Sequence, residues 1–169
     1  VTIMKKQKGF SLLELLIYIA IFGTVVLATT NVLVTVFEGR DSTNARYEVT
    51  QNIRFASEKI RQLVYDASSF TVSGACPFNV LETTISGATT TVAINNGVLQ
   101  TVSAGNTNAL TSDLVTATST SGNCVFIKIS NPLPAKPTLQ FQFAISYNDK
   151  GNQQLKFSDS IKTTISQRQ

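Results

Sequence analysis

The chain has 169 residues, 43% of them hydrophobic and 14% charged, with a formal net charge of +4 and no histidine. That length leaves room for one modest globular domain beside a membrane segment, and the missing histidine excludes Ser-His-Asp and Cys-His catalysis and every His-ligated metal site. The positive balance does not describe a nucleic-acid surface: Lys5, Lys6 and Lys8 crowd before Gly9 while all the acidic side chains follow it, so no basic cluster remains to neutralise a run of phosphates and no strong nucleic-acid binding is expected.

The chain begins with a short basic leader, for which Met4 offers as natural a start as Val1. From Phe10 to Phe37 it is apolar, and Glu14 is the only charged side chain in the run. A charged group at mid-bilayer costs roughly 2.5–3.5 kcal/mol on insertion scales, so its presence there demands a function. As a helix rising about 1.5 Å per residue the run extends about 42 Å, against a hydrocarbon core of about 30 Å, which is enough to span with some excess for tilt. Lysines ahead of a first membrane helix bias that end toward the cytoplasm and place the residues after Phe37 outside it.

Gly9-Phe10-Ser11-Leu12-Leu13-Glu14, behind the Lys-rich leader and ahead of the uninterrupted apolar stretch, resembles the class III signal of the type IV pilin-like family. The resemblance implies that a membrane-embedded prepilin peptidase cuts between Gly9 and Phe10 and methylates the new Phe10 amine, leaving residues 10–37 first as membrane anchor and then as filament core. It also implies an assembly role for Glu14, the fifth residue after the cut, as the counter-charge to the Phe10 amine of a neighbouring subunit. The implied partners are other pilin or pseudopilin subunits, the prepilin peptidase, an inner-membrane assembly platform and, before assembly, membrane lipid. The implied protein is structural, not an enzyme, and takes no cofactor. It is a single-pass protein of the cytoplasmic membrane with an extracytoplasmic C-terminal domain, later part of a pilus or pseudopilus. Many type IVa major pilins carry a helix-kinking proline near the position of Asn31, and this chain has none before Pro77. The resemblance therefore leans toward a minor pilin or a pseudopilin of a type II secretion or competence system, while Glu14 separates the chain from the tip pseudopilins that lack this acid. The alternative is a secreted or membrane-anchored β-domain binding protein that uses residues 5–28 as an ordinary signal, with Val26-Leu27-Ala28 as a small-residue cleavage site, or as an anchor.

Between Phe10 and Asp66 only Gly23 and Gly39 weaken a helix, each by about 1 kcal/mol relative to Ala, so one long helix is expected. In its second half Val49, Ile53, Ala56, Ile60, Leu63 and Ala67 recur every three or four residues, the stripe of a helix packed on one side, while Arg46, Arg54, Glu58, Lys59 and Arg61 take other faces. The expected division is leader 1–9, membrane and filament-core helix 10–37, amphipathic head helix 38–67 and β-rich head 68–169. The fold class is α+β: a long N-terminal helix packed on a C-terminal antiparallel sheet.

After Ser68 β-branched residues prevail. Thr89–Ile94 and Val98–Ser103 flank Asn95-Asn96-Gly97, where Asn-Gly supplies the positive φ angles of a tight type I′ hairpin. Further strands are expected at Leu81–Ser86, Ala109–Val115, Cys124–Ser130, Thr138–Tyr147 and Leu155–Ser166. Within the fourth of these, alternation puts Leu139, Phe141 and Phe143 on one face and the glutamines on a wet one. Asn131–Pro137 holds three prolines and reads as a loop; Tyr147–Gln154 reads as the last hairpin turn.

Cys76 and Cys124 are the only cysteines. In an oxidising compartment a disulfide between them closes a loop worth about 4 kcal/mol in the chain-entropy model; two free buried thiols are the alternative. The outer carboxylates Glu82, Asp113, Asp149 and Asp159 follow no catalytic or metal spacing. Asn148–Asn152 offers oxygen ligands around a glycine, but with one carboxylate it reads as a turn, and no metal is assigned.

Overall fold

The computed structural model describes residues 11–132, 135–148 and 156–168. Helix α1 spans Leu12–Asp66 and is followed, among the described residues, by strands β1 Ser69–Ser73, β2 Val80–Ile85, β3 Ala88–Asn95, β4 Val98–Ser103, β5 Asn106–Ala109, β6 Val115–Thr118, β7 Phe126–Ile129, β8 Thr138–Tyr147 and β9 Ser158–Ser166. The chain divides into two units, Val1–Asp41 and Ser42–Gln169. Among the described residues every strand pairing is antiparallel, so the architecture is α+β as the sequence indicates.

In the second unit all six residues of the expected stripe are buried, joined by Ala45 and Val64. All of these but Ala45 and Ala67 belong to one apolar cluster with Phe70, Leu81, Val92 and Leu99 of the first sheet and Phe126, Leu139, Phe141, Phe143 and Ile145 of the second. The helix stops where its last carbonyls need donors. No basic residue lies in its last turn; instead the Gln167 side chain, itself buried, donates to the Ala67 carbonyl, and the Arg168 guanidinium lies 5.8 Å from the Tyr65 ring centre.

The first sheet is a meander in the order β1-β2-β3-β4-β5. Its β3–β4 turn is the expected one: Asn96 and Gly97 have φ of 49° and 78°, and Asn95 pairs with Val98. In the second sheet β8 is central, with β9 along one side and β6 and β7 in tandem along the other. Between them Val125 fills the gap, its carbonyl accepting from the Gln142 amide at 2.8 Å. The sheets are tied together where the Ala117 amide donates to the Gly97 carbonyl (2.7 Å) and the Lys128 ammonium to the Phe70 carbonyl (2.9 Å).

Four expectations change. No strand covers Ala109–Val115: β5 ends at Ala109 and β6 starts at Val115. The residues between cross from one sheet to the other: the Leu110 amide donates to the Leu99 carbonyl, the Ser112 amide to the Asn52 side-chain oxygen, and the Leu114 carbonyl accepts from the Asn148 amide. The glutamine face of β8 is not wholly wet, because Gln142 is buried and donates to the Cys124 carbonyl. Strands β1, β5 and β6 are not among the expected ones: β1 and β6 alternate polar and apolar residues but over only five and four positions, and β5 is exposed throughout. The expected strand at Leu155–Ser166 begins at Ser158, and Leu155 lies outside the described residues, as does most of the expected Tyr147–Gln154 turn with the Asp149–Asn152 part of the oxygen-rich loop.

Candidate membrane and assembly segment

Within the first unit, α1 is long and apolar enough to cross a membrane, and no side chain from Leu12 to Phe37 is buried. A segment without a protein core must hide its polar atoms by itself in lipid. The threonines do so along the helix: Thr24 donates to the Ile21 carbonyl (2.8 Å), Thr29 to those of Val25 and Val26, Thr30 to that of Val26 and Thr35 to that of Asn31. These i−3 and i−4 bonds are the usual mid-helix refuge of a threonine hydroxyl. They let a run containing several threonines remain compatible with hydrocarbon, a point that hydropathy alone passes over.

Glu14 lies in the first turn of α1. There the unpaired amides and the helix dipole favour a carboxylate, so the acid suits the helix start as well as having the position of the motif acid. Gly9 and Phe10, the expected cleavage and methylation residues, lie outside the described residues.

In the head, Cys76 and Cys124 are brought to disulfide distance, with Cα atoms 4.7 Å apart. The surrounding backbone is clasped independently of the sulfurs. Asn79 is buried, its side-chain amide donating to the Phe126 carbonyl (2.6 Å) and its oxygen accepting from the Phe126 amide (3.0 Å), while the Val125 amide donates to the Pro77 carbonyl (3.1 Å). One asparagine side chain thus imitates a strand partner for β7.

Residues 4–30 match the family model described as the prokaryotic N-terminal methylation motif. The chain carries the class III signal of type IV pilin-like proteins. No curated protein and no solved structure matches the chain significantly. The motif implies processing by a prepilin peptidase and pilin-type assembly, and the apolar helix suits membrane anchoring. Proteins with this signal are structural subunits in character, and the helix-then-sheet order of the chain accords with that class.

Sequence reasoning missed the polar latch that seats the head helix. Asn52 falls on the buried stripe, where its oxygen accepts from the Ser112 amide (2.8 Å) and its amide group donates to the Glu48 carbonyl (2.8 Å). Glu48 in turn accepts from the Ser112 hydroxyl at 2.8 Å. A polar residue three positions after Val49 and one before Ile53 was the available signal: an asparagine inside an apolar stripe must find partners.

Proposed function

We propose that this chain is a minor pilin or pseudopilin, a structural subunit of a type IV pilus, type II secretion or competence filament, and not an enzyme. Prepilin peptidase cuts it after Gly9 and methylates Phe10; residues 10–37 serve first as membrane anchor and then as filament core, residues 38–67 support the head, and residues 68–169 form its extracytoplasmic surface. Glu14 neutralises the Phe10 amine of an adjacent subunit at the inner-membrane platform, and Cys76 and Cys124 form one disulfide. The methylation motif at residues 4–30 carries the reading. The unbroken helix through Ala28 favours it over a signal peptide cut at that point, which would end a helix that instead continues to Asp66.

Intact mass of the membrane-extracted protein tests it. Processing gives the mass of a chain starting at methylated Phe10, and replacing Gly9 with a bulky residue leaves the unprocessed precursor in the membrane. A mass corresponding to cleavage after Ala28, or to a retained leader in the presence of the peptidase, refutes the proposal.

A further inference from the structure

The two cysteines stand on very different stretches of chain. Cys124 leads into a fixed one: its carbonyl accepts from the buried Gln142 side chain at 3.3 Å, and the next residue, Val125, is itself buried and accepts from the Gln142 amide at 2.8 Å. Cys76 lies on the bend between β1 and β2. There Gly74, Ala75 and Cys76 are all exposed, whereas Cys124 is partly buried.

These stretches are joined without the sulfurs. The Val125 amide donates to the Pro77 carbonyl, one residue beyond each cysteine, and the buried Asn79 side chain holds both the amide and the carbonyl of Phe126. With the thiols reduced, the same bonds keep Cys76 beside Cys124. Closure then needs side-chain rotation within a preformed site and not a search by two residues 48 apart in sequence. Exchange requires a thiolate to reach one sulfur of a disulfide, and access decides which. Access here belongs to Cys76.

We propose that the Cys76–Cys124 bond is closed and opened on the already folded head by thiol–disulfide exchange, with Cys76 as the sulfur that meets the outside reagent and Cys124 as the resolving thiol. This rests on the reading of the pair as a disulfide, and adds when it closes and which sulfur leads. In closure the Cys76 thiolate attacks one sulfur of an outside disulfide, that of glutathione or of a dithiol oxidoreductase, and expels its other sulfur, which takes up the proton Cys76 has lost. The Cys124 thiolate then attacks Cys76 Sγ, forming the protein disulfide and expelling the second outside thiol. Two protein thiols are oxidised and one outside disulfide is reduced to two thiols. Opening runs the same steps backward, a thiolate attacking Cys76 Sγ and Cys124 leaving.

The test uses the full chain in detergent. Dithiothreitol without denaturant should open the bond, with the circular dichroism of the head retained and its thermal midpoint still above the assay temperature. After the reductant is removed, oxidised glutathione should reclose the bond in the folded protein. Acid quenching during reclosure, followed by peptide mapping, should place the glutathione on Cys76. Single variants check the assignment: Cys124→Ser, which keeps Cys76, should take up glutathione roughly tenfold or more faster than Cys76→Ser, which keeps Cys124. A bond that opens only in denaturant, loss of the head's fold on reduction, or glutathione mapped mainly to Cys124 overturns the proposal and leaves the disulfide standing. Both thiols free in the protein as isolated refutes the disulfide itself, and the exchange with it.

Discussion

Gly97 answers two demands at once. Its φ of +78° is a conformation that L side chains rarely adopt, and a β-carbon built on it would lie 2.8 Å from the Thr116 methyl, because this turn abuts the start of the second sheet. Only the first demand is visible in the Asn-Gly pair. Gly87 has φ of +84° with nothing within 4 Å of its added carbon, which makes it the natural control. Gly87→Ala should cost about 1–2 kcal/mol from the backbone alone, and Gly97→Ala more, by whatever Thr116 must yield; equal thermal midpoints for the two would show that the contact between the sheets relaxes freely. Asn79 is the second residue whose meaning depends on the fold. Asn79→Ala leaves the Phe126 amide and carbonyl without their side-chain partners, and should destabilise the head by about 2–4 kcal/mol in denaturant unfolding. A loss below half a kcal/mol would mean that water takes over both bonds.

Among the elements, those with local causes were legible and those completed by distant partners were not. The head helix was readable because its stripe repeats at the period of one helix and every member of it proved buried. Strand β8 was readable from end to end because Leu139, Phe141, Phe143 and Ile145 alternate in a single run. The segment 110–114 misled because Leu110 is buried like a strand residue, yet only its own amide donates to β4, while the Thr111 hydroxyl accepts from the Leu99 amide and the Ser112 amide donates to a helix side chain sixty positions earlier. The motif of the first unit was legible at once; the Asn52 latch and the Asn79 clasp were not, since nothing within a few residues of either names its partner. Those clasps bear on the cysteines. With Asn79 and Pro77 bonded to Phe126 and Val125, removing the sulfur link releases the unfolded chain's loop but leaves the native segment in place. Cys76→Ser with Cys124→Ser should therefore cost about 4 kcal/mol, lowering the unfolding midpoint by roughly 15 °C, with an unchanged circular dichroism spectrum. Alkylation of both cysteines in the untreated protein, without prior reduction, would remove the proposed bond.

At the scale of the whole molecule, two units answer to two different environments. Ser42–Gln169 contains its own apolar cluster, drawn from the helix stripe and both sheets, whereas Leu12–Phe37 has no buried side chain and is suited to membrane anchoring. A change confined to the first unit should therefore alter assembly without altering the fold of the head. Glu14 is the sharpest place to test this, being the only charge in the apolar run. Glu14→Gln keeps the size and hydrogen-bonding capacity of the side chain and removes the charge proposed to face the Phe10 amine of a neighbour. At an illustrative effective dielectric of 20, opposite charges 4 Å apart attract by about 4 kcal/mol before desolvation is subtracted, enough to fix the axial register of one helix against the next in dry surroundings. The variant should insert in the membrane, lose its leader and show the wild-type thermal midpoint for the head, yet enter filaments poorly or late. The measurement is the sheared-filament fraction against the total membrane pool for wild type and variant side by side. Equal incorporation would remove the docking role and leave Glu14 as a favourable first-turn carboxylate, while a lowered head midpoint would show that the two units are not separable in the way their packing indicates.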